Sequence, residues 1–267
     1  MPKQFSLVLI AVLLVAACRK SNTPPPPDNI IRPDSVFAMY LLPDMRTASL
    51  FSTIGTAYFT YNGNQIIKRA GGALPIAGTG YPIIATKQVF DTLLYDNNKI
   101  TIITKARIDG ITISPAEKVI LLENGKMKQK ILYSNNPDRP SNDTSFYFYG
   151  PDNRVAKVER YYGLGKELRL FTFNDKGNLQ EVISTFYDRH STAVNITVTE
   201  NFSDYDNAVN TLKNYWMWSD FYYRSLSNNN FAKYSFTQVN ADNTQHSNGT
   251  SNMTLHYDSN GWVDFSK

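Results

Sequence analysis

The sequence predicts an all-β protein, an antiparallel meander of hairpins forming a strongly curved sheet or partly closed barrel, with a short helical or loop insertion near 204–230. Three observations carry that prediction. The chain of 267 residues uses Asn at 26 positions beside 17 Tyr and 15 Phe, a mix that favours strands punctuated by turns. One short turn pattern returns six times along the chain. Apolar residues between the turns alternate or crowd both faces of short segments, as in Ile100, Ile102 and Ile103.

The amino-terminal residues read as a targeting segment. Lys3 supplies a positive charge, Ser6 to Ala17 is an apolar run, and Leu14-Val15-Ala16-Ala17 leads into Cys18. The run falls short of the roughly 20 apolar residues that a spanning helix needs. Residues 1–17 therefore read as a lipoprotein signal peptide, and the pattern resembles the bacterial lipobox, in which the cysteine is lipidated and becomes the first residue. Cys18 is the single cysteine, so no internal disulfide can form and the lipid attachment site is its simplest explanation. Several acyl chains on one residue would anchor stably, since each buried methylene contributes roughly 0.8 kcal/mol.

Residues 18–30 hold Pro24 to Pro27 and read as an extended, semi-rigid spacer of about 3 Å per residue. Just behind the cysteine stand Arg19 and Lys20, where surface-exported lipoproteins of the Bacteroidetes type carry acids. The domain facing periplasm or cell exterior thus stays open. Residues 31–267 are expected to form one domain, since no second linker interrupts them. The formal net charge of +4 falls to about +3 without the leader, too weak to imply a nucleic-acid partner.

Within that domain the turns set the register. In YNGNQI, YDNNKI and LENGKM the apolar partner stands five places on, pairing Tyr61 with Ile66, Tyr95 with Ile100 and Leu122 with Met127. A two-residue loop with positive φ at both central positions fits Gly63-Asn64, Asn97-Asn98 and Asn124-Gly125. Asp96 then faces Lys99, and Glu123 faces Lys126. In YGPDNRV, FNDKGNL and YDSNGWV the partner is six places on, pairing Tyr149 with Val155, Phe173 with Leu179 and Tyr257 with Val263. The added residue fits a type I turn followed by a left-handed bulge at Asn153, Gly177 and Gly261.

Strands are expected at Val36–Leu42, Ala57–Tyr61, Lys99–Arg107, Glu117–Leu122, Ser145–Tyr149, Ala156–Tyr162, Leu168–Phe173, Leu179–Tyr187 and Val194–Phe202. The glycine-rich stretch Gly71 to Pro82 reads as a long loop and a weak interaction candidate, because it lacks the Gly-Lys-Ser/Thr ending of a phosphate loop. From Asp204 the meander breaks. Ala208, Val209, Leu212, Tyr215 and Trp216 recur at helical spacing, closed by Asn228 to Asn230.

The repeated turns, the segment FSDYDNAVNTLKNYW, the triple Asn and the closing HYDSNGWV are similar to those of a family of Bacteroidetes lipoproteins of unknown function with a porin-like β domain. The resemblance covers most of the chain after the spacer. It implies an antiparallel sheet curving toward a barrel, and it supplies no activity and no catalytic residues. Charged residues such as Lys128, Lys130, Lys157, Glu159 and Arg160 interrupt the outward apolar band that a membrane-inserted porin needs.

Chemistry-bearing motifs are sparse. His190, His246 and His256 stand far apart and show no metal-ligand spacing, and no G-x-S-x-G elbow occurs. Most acids, such as Asp96, Asp152, Asp175 and Asp258, are explained as turn residues. An enzyme is disfavoured, and neither cofactor nor metal is expected. The aromatic cluster around Tyr215, Trp216, Trp218 and Tyr222 has two readings. Exposed, the rings would stack on sugars or anchor a partner; buried, they would plug one mouth of the sheet, the reading that the usual burial of aromatics favours. The expected role is a non-enzymatic outer-membrane lipoprotein, a binding or accessory module for another envelope component, an unknown protein or glycan, with a glycan-binding module of a nutrient-uptake system using the aromatic platform as the alternative.

Overall fold

The computed structural model describes residues 32–37, 56–74, 84–106, 116–133, 143–163, 165–188 and 193–267, all within one unit spanning Arg32–Lys267. Its fourteen strands form a single antiparallel sheet in which each strand pairs with its neighbours in sequence. They are β1 (Ser35–Phe37), β2 (Thr56–Asn62), β3 (Gln65–Leu74), β4 (Ile84–Asp96), β5 (Lys99–Ala106), β6 (Ala116–Glu123) and β7 (Lys126–Leu132). There follow β8 (Asp143–Tyr149), β9 (Val155–Tyr162), β10 (Gly165–Phe173), β11 (Leu179–Asp188), β12 (Val194–Tyr205), β13 (Phe231–Asn240) and β14 (Gln245–Asn252). Among the described residues no ladder joins β14 to β1, so their sheet is open.

The six turns place the register where their residues require it. Tyr61 opposes Ile66, Tyr95 opposes Ile100 and Leu122 opposes Met127, with Asp96 facing Lys99 and Glu123 facing Lys126. Tyr149 opposes Val155, Phe173 opposes Leu179, and Tyr257 bridges Val263. Asn153, Gly177 and Gly261 hold the left-handed position with φ of 65°, 79° and 78°. The short loops differ from expectation: only Asn124-Gly125 has positive φ at both central residues, whereas Gly63 and Asn97 have it and Asn64 and Asn98 do not. One left-handed residue at the first position is enough to reverse those strands.

Two other expectations are refined and one falls largely outside the described residues. The glycine-rich loop begins later, because β3 continues through Gly71 to Leu74; residues 75–83 lie outside the described residues. Of the strand expected at Val36–Leu42, only Val36 and Phe37 lie within the described residues. The insertion expected near 204–230 is present and holds a 3-10 turn at Lys213–Tyr215 and a short helix, α1, at Ser219–Ser225, while the helical spacing from Ala208 to Trp216 does not itself form an α-helix. Asn210 explains the shift. Its side chain accepts from the Leu212 amide at 2.9 Å and donates to the Arg224 and Ser227 carbonyls at 2.6 and 2.9 Å, which takes the backbone out of helical bonding.

This insertion fills the inner side of the sheet. Phe59 on β2 meets Tyr215, Trp218 and Phe221 edge-on at 4.7, 5.7 and 5.6 Å. Phe171 on β10 meets Tyr222 and Tyr223, and Phe202 on β12 meets Tyr223 and Phe231. Such pairs each contribute ~0.5–1.5 kcal/mol beyond area burial. One short segment can touch strands from β2 to β13 only if the sheet curls around it. The same core takes in Val36 of β1 and, from the carboxyl-terminal segment, Val263 and Phe265.

The triple Asn closes the loop that carries the insertion. Asn228 donates to the Lys176 carbonyl, Asn229 donates to the Ala208 carbonyl while its amide bonds Asn178, and the Asn230 amide bonds Asp206. Asn178, Asn210 and Asn230 are buried, and each is hydrogen-bonded, as buried amides must be.

Candidate functional site

On one side of the insertion the inner face of the sheet is charged rather than apolar. Direct strand pairing sets Lys130 of β7 beside Ile120 and Ser145, Ser145 beside Arg160, and Arg160 beside Glu167 of β10. A second row crosses Arg69 of β3, Asp91 of β4 and Thr104 of β5. Directly paired residues share a face, so these rows lie on the same side as core residues Ile120, Ile102 and Val158.

Most of these charges neutralise one another. Arg160 holds Asp143 through Nε and an η nitrogen, at 2.6–3.0 Å, and reaches Glu167 at 3.3 Å. Arg169 donates to the other Glu167 oxygen at 2.6 Å. Arg69 forks onto both carboxylate oxygens of Asp220 in α1. A bidentate guanidinium fixes orientation as well as charge, so this pair pins the helix to β3.

Asp91 accepts from Trp218 Nε1 at 2.7 Å and from the Thr104 hydroxyl at 2.6 Å. Burial alone would raise its carboxyl; the Lys118 and Arg69 charges and these two bonds outweigh it and bring the carboxyl below the usual range. On the far side of α1, Glu200 accepts from Tyr223 at 2.8 Å and Tyr234 at 3.0 Å.

Lys130 stands apart. Its ammonium donates to the Met217 carbonyl at 3.1 Å, and burial, reinforced by neighbouring Lys118, pushes it down to about 8. Yet Lys130, Tyr147, Arg160, Asp143 and Asp220 all keep partial exposure, so solvent reaches the space between sheet and insertion. Burial also raises the Tyr147 and Tyr222 phenols there.

The residues expected from the sequence fall elsewhere. Cys18, with the signal peptide and spacer, lies outside the described residues. Tyr215, Trp218 and Tyr222 are 2, 2 and 8 % exposed, and only Trp216 of that group is half-buried. The sugar platform is therefore corrected: those three rings pack edge-on against sheet aromatics and present no open face. His246 and His256 are exposed, and His190 lies outside the described residues. Among the described residues no cluster of His, Cys, Asp and Glu is arranged to hold a metal, and no helix is long and apolar enough to cross a membrane.

The inward charges were missed as a group. Lys128, Lys157 and Glu159 do stand outside: Lys128 pairs with Glu123 at 2.7 Å, and Lys157 pairs with Glu159 beside the exposed Phe148 ring. Lys130 and Arg160 point the other way. The available signal was alternation, since Lys118 precedes buried Ile120 by two residues and Arg160 follows buried Val158 by two.

No family model and no curated protein matches this chain. Two solved structures are similar in shape, a porin-like protein from Bacteroides vulgatus ATCC 8482 and another from Bacteroides uniformis ATCC 8492. The first is 12% identical, with 76% of this chain and 87% of that one covered at a TM-score of 0.46. The second is 10% identical, with 78% and 80% covered at a TM-score of 0.46.

Proposed function

We propose that the chain is a lipid-anchored protein of the bacterial outer membrane, a binding or accessory module without a catalytic step. The observation that carries this reading is the run Leu14-Val15-Ala16-Ala17 before the single cysteine, Cys18, followed by the proline spacer. The inner acids support a structural and binding role, because Asp143, Glu167, Asp220 and Asp91 are each engaged by an arginine or by Trp218 and Thr104. The partner is another envelope component, a protein or a glycan.

Growth with labelled palmitate, followed by membrane fractionation, tests the anchor. Wild type should carry label on Cys18 and sediment with outer membranes, whereas Cys18→Ala should be unlabelled and either soluble or uncleaved. Mature Cys18→Ala protein that still sediments with membranes would overturn the reading. Capture of the tagged protein from solubilised envelopes then separates a stoichiometric protein partner from a glycan, which a fluorescence screen against polysaccharides would find.

A further inference from the structure

Interior lysines normally sit against a carboxylate, because an unpaired buried ammonium loses hydration without compensation. Lys118 and Lys130 break that rule together. Strand pairing sets Lys118 opposite Leu132 and Ile120 opposite Lys130, which makes the two lysines diagonal neighbours on the inner face of β6 and β7. Diagonal positions lie about 7–8 Å apart, within reach of long side chains, so both ammonium groups can converge on one point. Neither has a carboxylate within ion-pair distance among the described residues, and the Met217 carbonyl takes one of the three Lys130 donors.

Among the described residues the nearby acids form no ion pair with either lysine; Asp91 feels the Lys118 charge, and Asp220 and Asp143 feel that of Lys130, only through space. Asp220 is occupied by Arg69, Asp143 by Arg160, Glu167 by Arg160 and Arg169, and Asp91 by Trp218 and Thr104. Across the inner face of β3 to β10 together with Asp220 of α1, five cations (Arg69, Lys118, Lys130, Arg160, Arg169) meet four carboxylates (Asp91, Asp143, Glu167, Asp220). The surplus charge falls on the lysine pair, beside a space that solvent enters.

We propose that Lys118 and Lys130 form a binding site for an oxyanion, the phosphate or carboxylate group of a small ligand entering the concave side of the sheet. Two ammonium groups on adjacent strands present donors from two directions, and partial desolvation strengthens each contact relative to open water. The site does not depend on the lipid anchor, so either idea can fail without the other.

The test uses the full chain in detergent, with phosphate, succinate and chloride compared at matched ionic strength. Melting temperature should rise with phosphate or succinate concentration and stay flat in chloride, following binding to the folded state. Lys118→Gln and Lys130→Gln should each weaken the apparent affinity at least tenfold, while Lys118→Arg should retain most of it. A response to phosphate alone assigns a phosphate-bearing ligand, to succinate alone a carboxylate, and to both a general oxyanion site. Flat responses to both, or variants that respond like wild type, overturn the proposal. Should Lys130→Gln fail to fold, acylation of wild type decides: the anion should slow modification of Lys118 and Lys130 at least threefold and leave outward Lys128 and Lys157 unchanged. Equal effects on all four would overturn the site.

Discussion

The indole of Trp218 donates to Asp91 at 2.7 Å across 127 residues of sequence and ties the insertion to β4. Both partners are buried, at 2 and 8 % exposure, and the same carboxylate takes the Thr104 hydroxyl. The bond converts an aromatic plug into an oriented one, since a ring fixed only by packing could rotate or slide.

Asp91 should therefore contribute to acid sensitivity. Its carboxyl is held below the value of 3.8 that it has when unperturbed. Stability from this group is complete above that value and is lost as pH falls through the lower folded-state value. Asp91→Asn should lower the urea midpoint at pH 7 and show a shallower decline below pH 4 than wild type. Parallel acid declines in the two proteins would assign the sensitivity to other groups.

Lys130 should act with the same sign of slope, in the alkaline range. Its folded value of about 8 lies below the unperturbed 10.5, so between those values the unfolded chain binds more protons and stability rises with pH. Lys118 and Arg160 repel its charge, and Asp220 and Asp143 attract it. Melting temperature from pH 7.5 to 9.5 should climb more in wild type than in Lys130→Met, with the two curves converging at the alkaline end of that range.

The turns offer a paired test. Gly177 and Gly261 share left-handed φ near 79°, yet alanine at 177 meets Asn228 and Arg154, whereas alanine at 261 meets open space. Gly261→Ala should cost about 1–2 kcal/mol from backbone conformation alone. Gly177→Ala should cost more, and chemical denaturation reads the difference.

Asn210 makes a fourth test. Replacing it with Ala removes partners from the Leu212 amide and from the Arg224 and Ser227 carbonyls in a buried loop. The Arg224 carbonyl keeps backbone donors, but each group left unpaired costs about 1–3 kcal/mol, so Asn210→Ala should lower the unfolding midpoint sharply. Hydrogen exchange should rise first in Leu212 to Ser227, ahead of the sheet.

The sheet was legible because its information is local. Asn153, Gly177 and Gly261 declare their turns within seven residues; the first two fix the register of two strands each, and the third sets the Tyr257–Val263 bridge. A seventh turn of the same kind, Val239 opposite Gln245 with Asn243 at φ 63°, escaped notice because β14 is polar and offers no apolar partner. The insertion was legible but its helix was not positioned: Ala208 to Trp216 has helical spacing, but Asn210 spends its amide on the backbone, which periodicity does not record. The inward charges were hidden by distance. Arg69 and Asp220 are 151 residues apart, and no spacing rule joins them.

Folding order follows from one backbone bond. Phe37 of β1 donates to the Phe265 carbonyl at 2.7 Å, so the β1 edge of the sheet is covered by a residue synthesised after all the described strands. Hairpins between neighbouring strands close quickly because their loops are short. Until Phe265 arrives, β1 carries an open edge able to recruit a strand from another molecule. Premature termination before that residue should therefore yield a chain that makes its hairpins and then self-associates, a failure of timing rather than of stability.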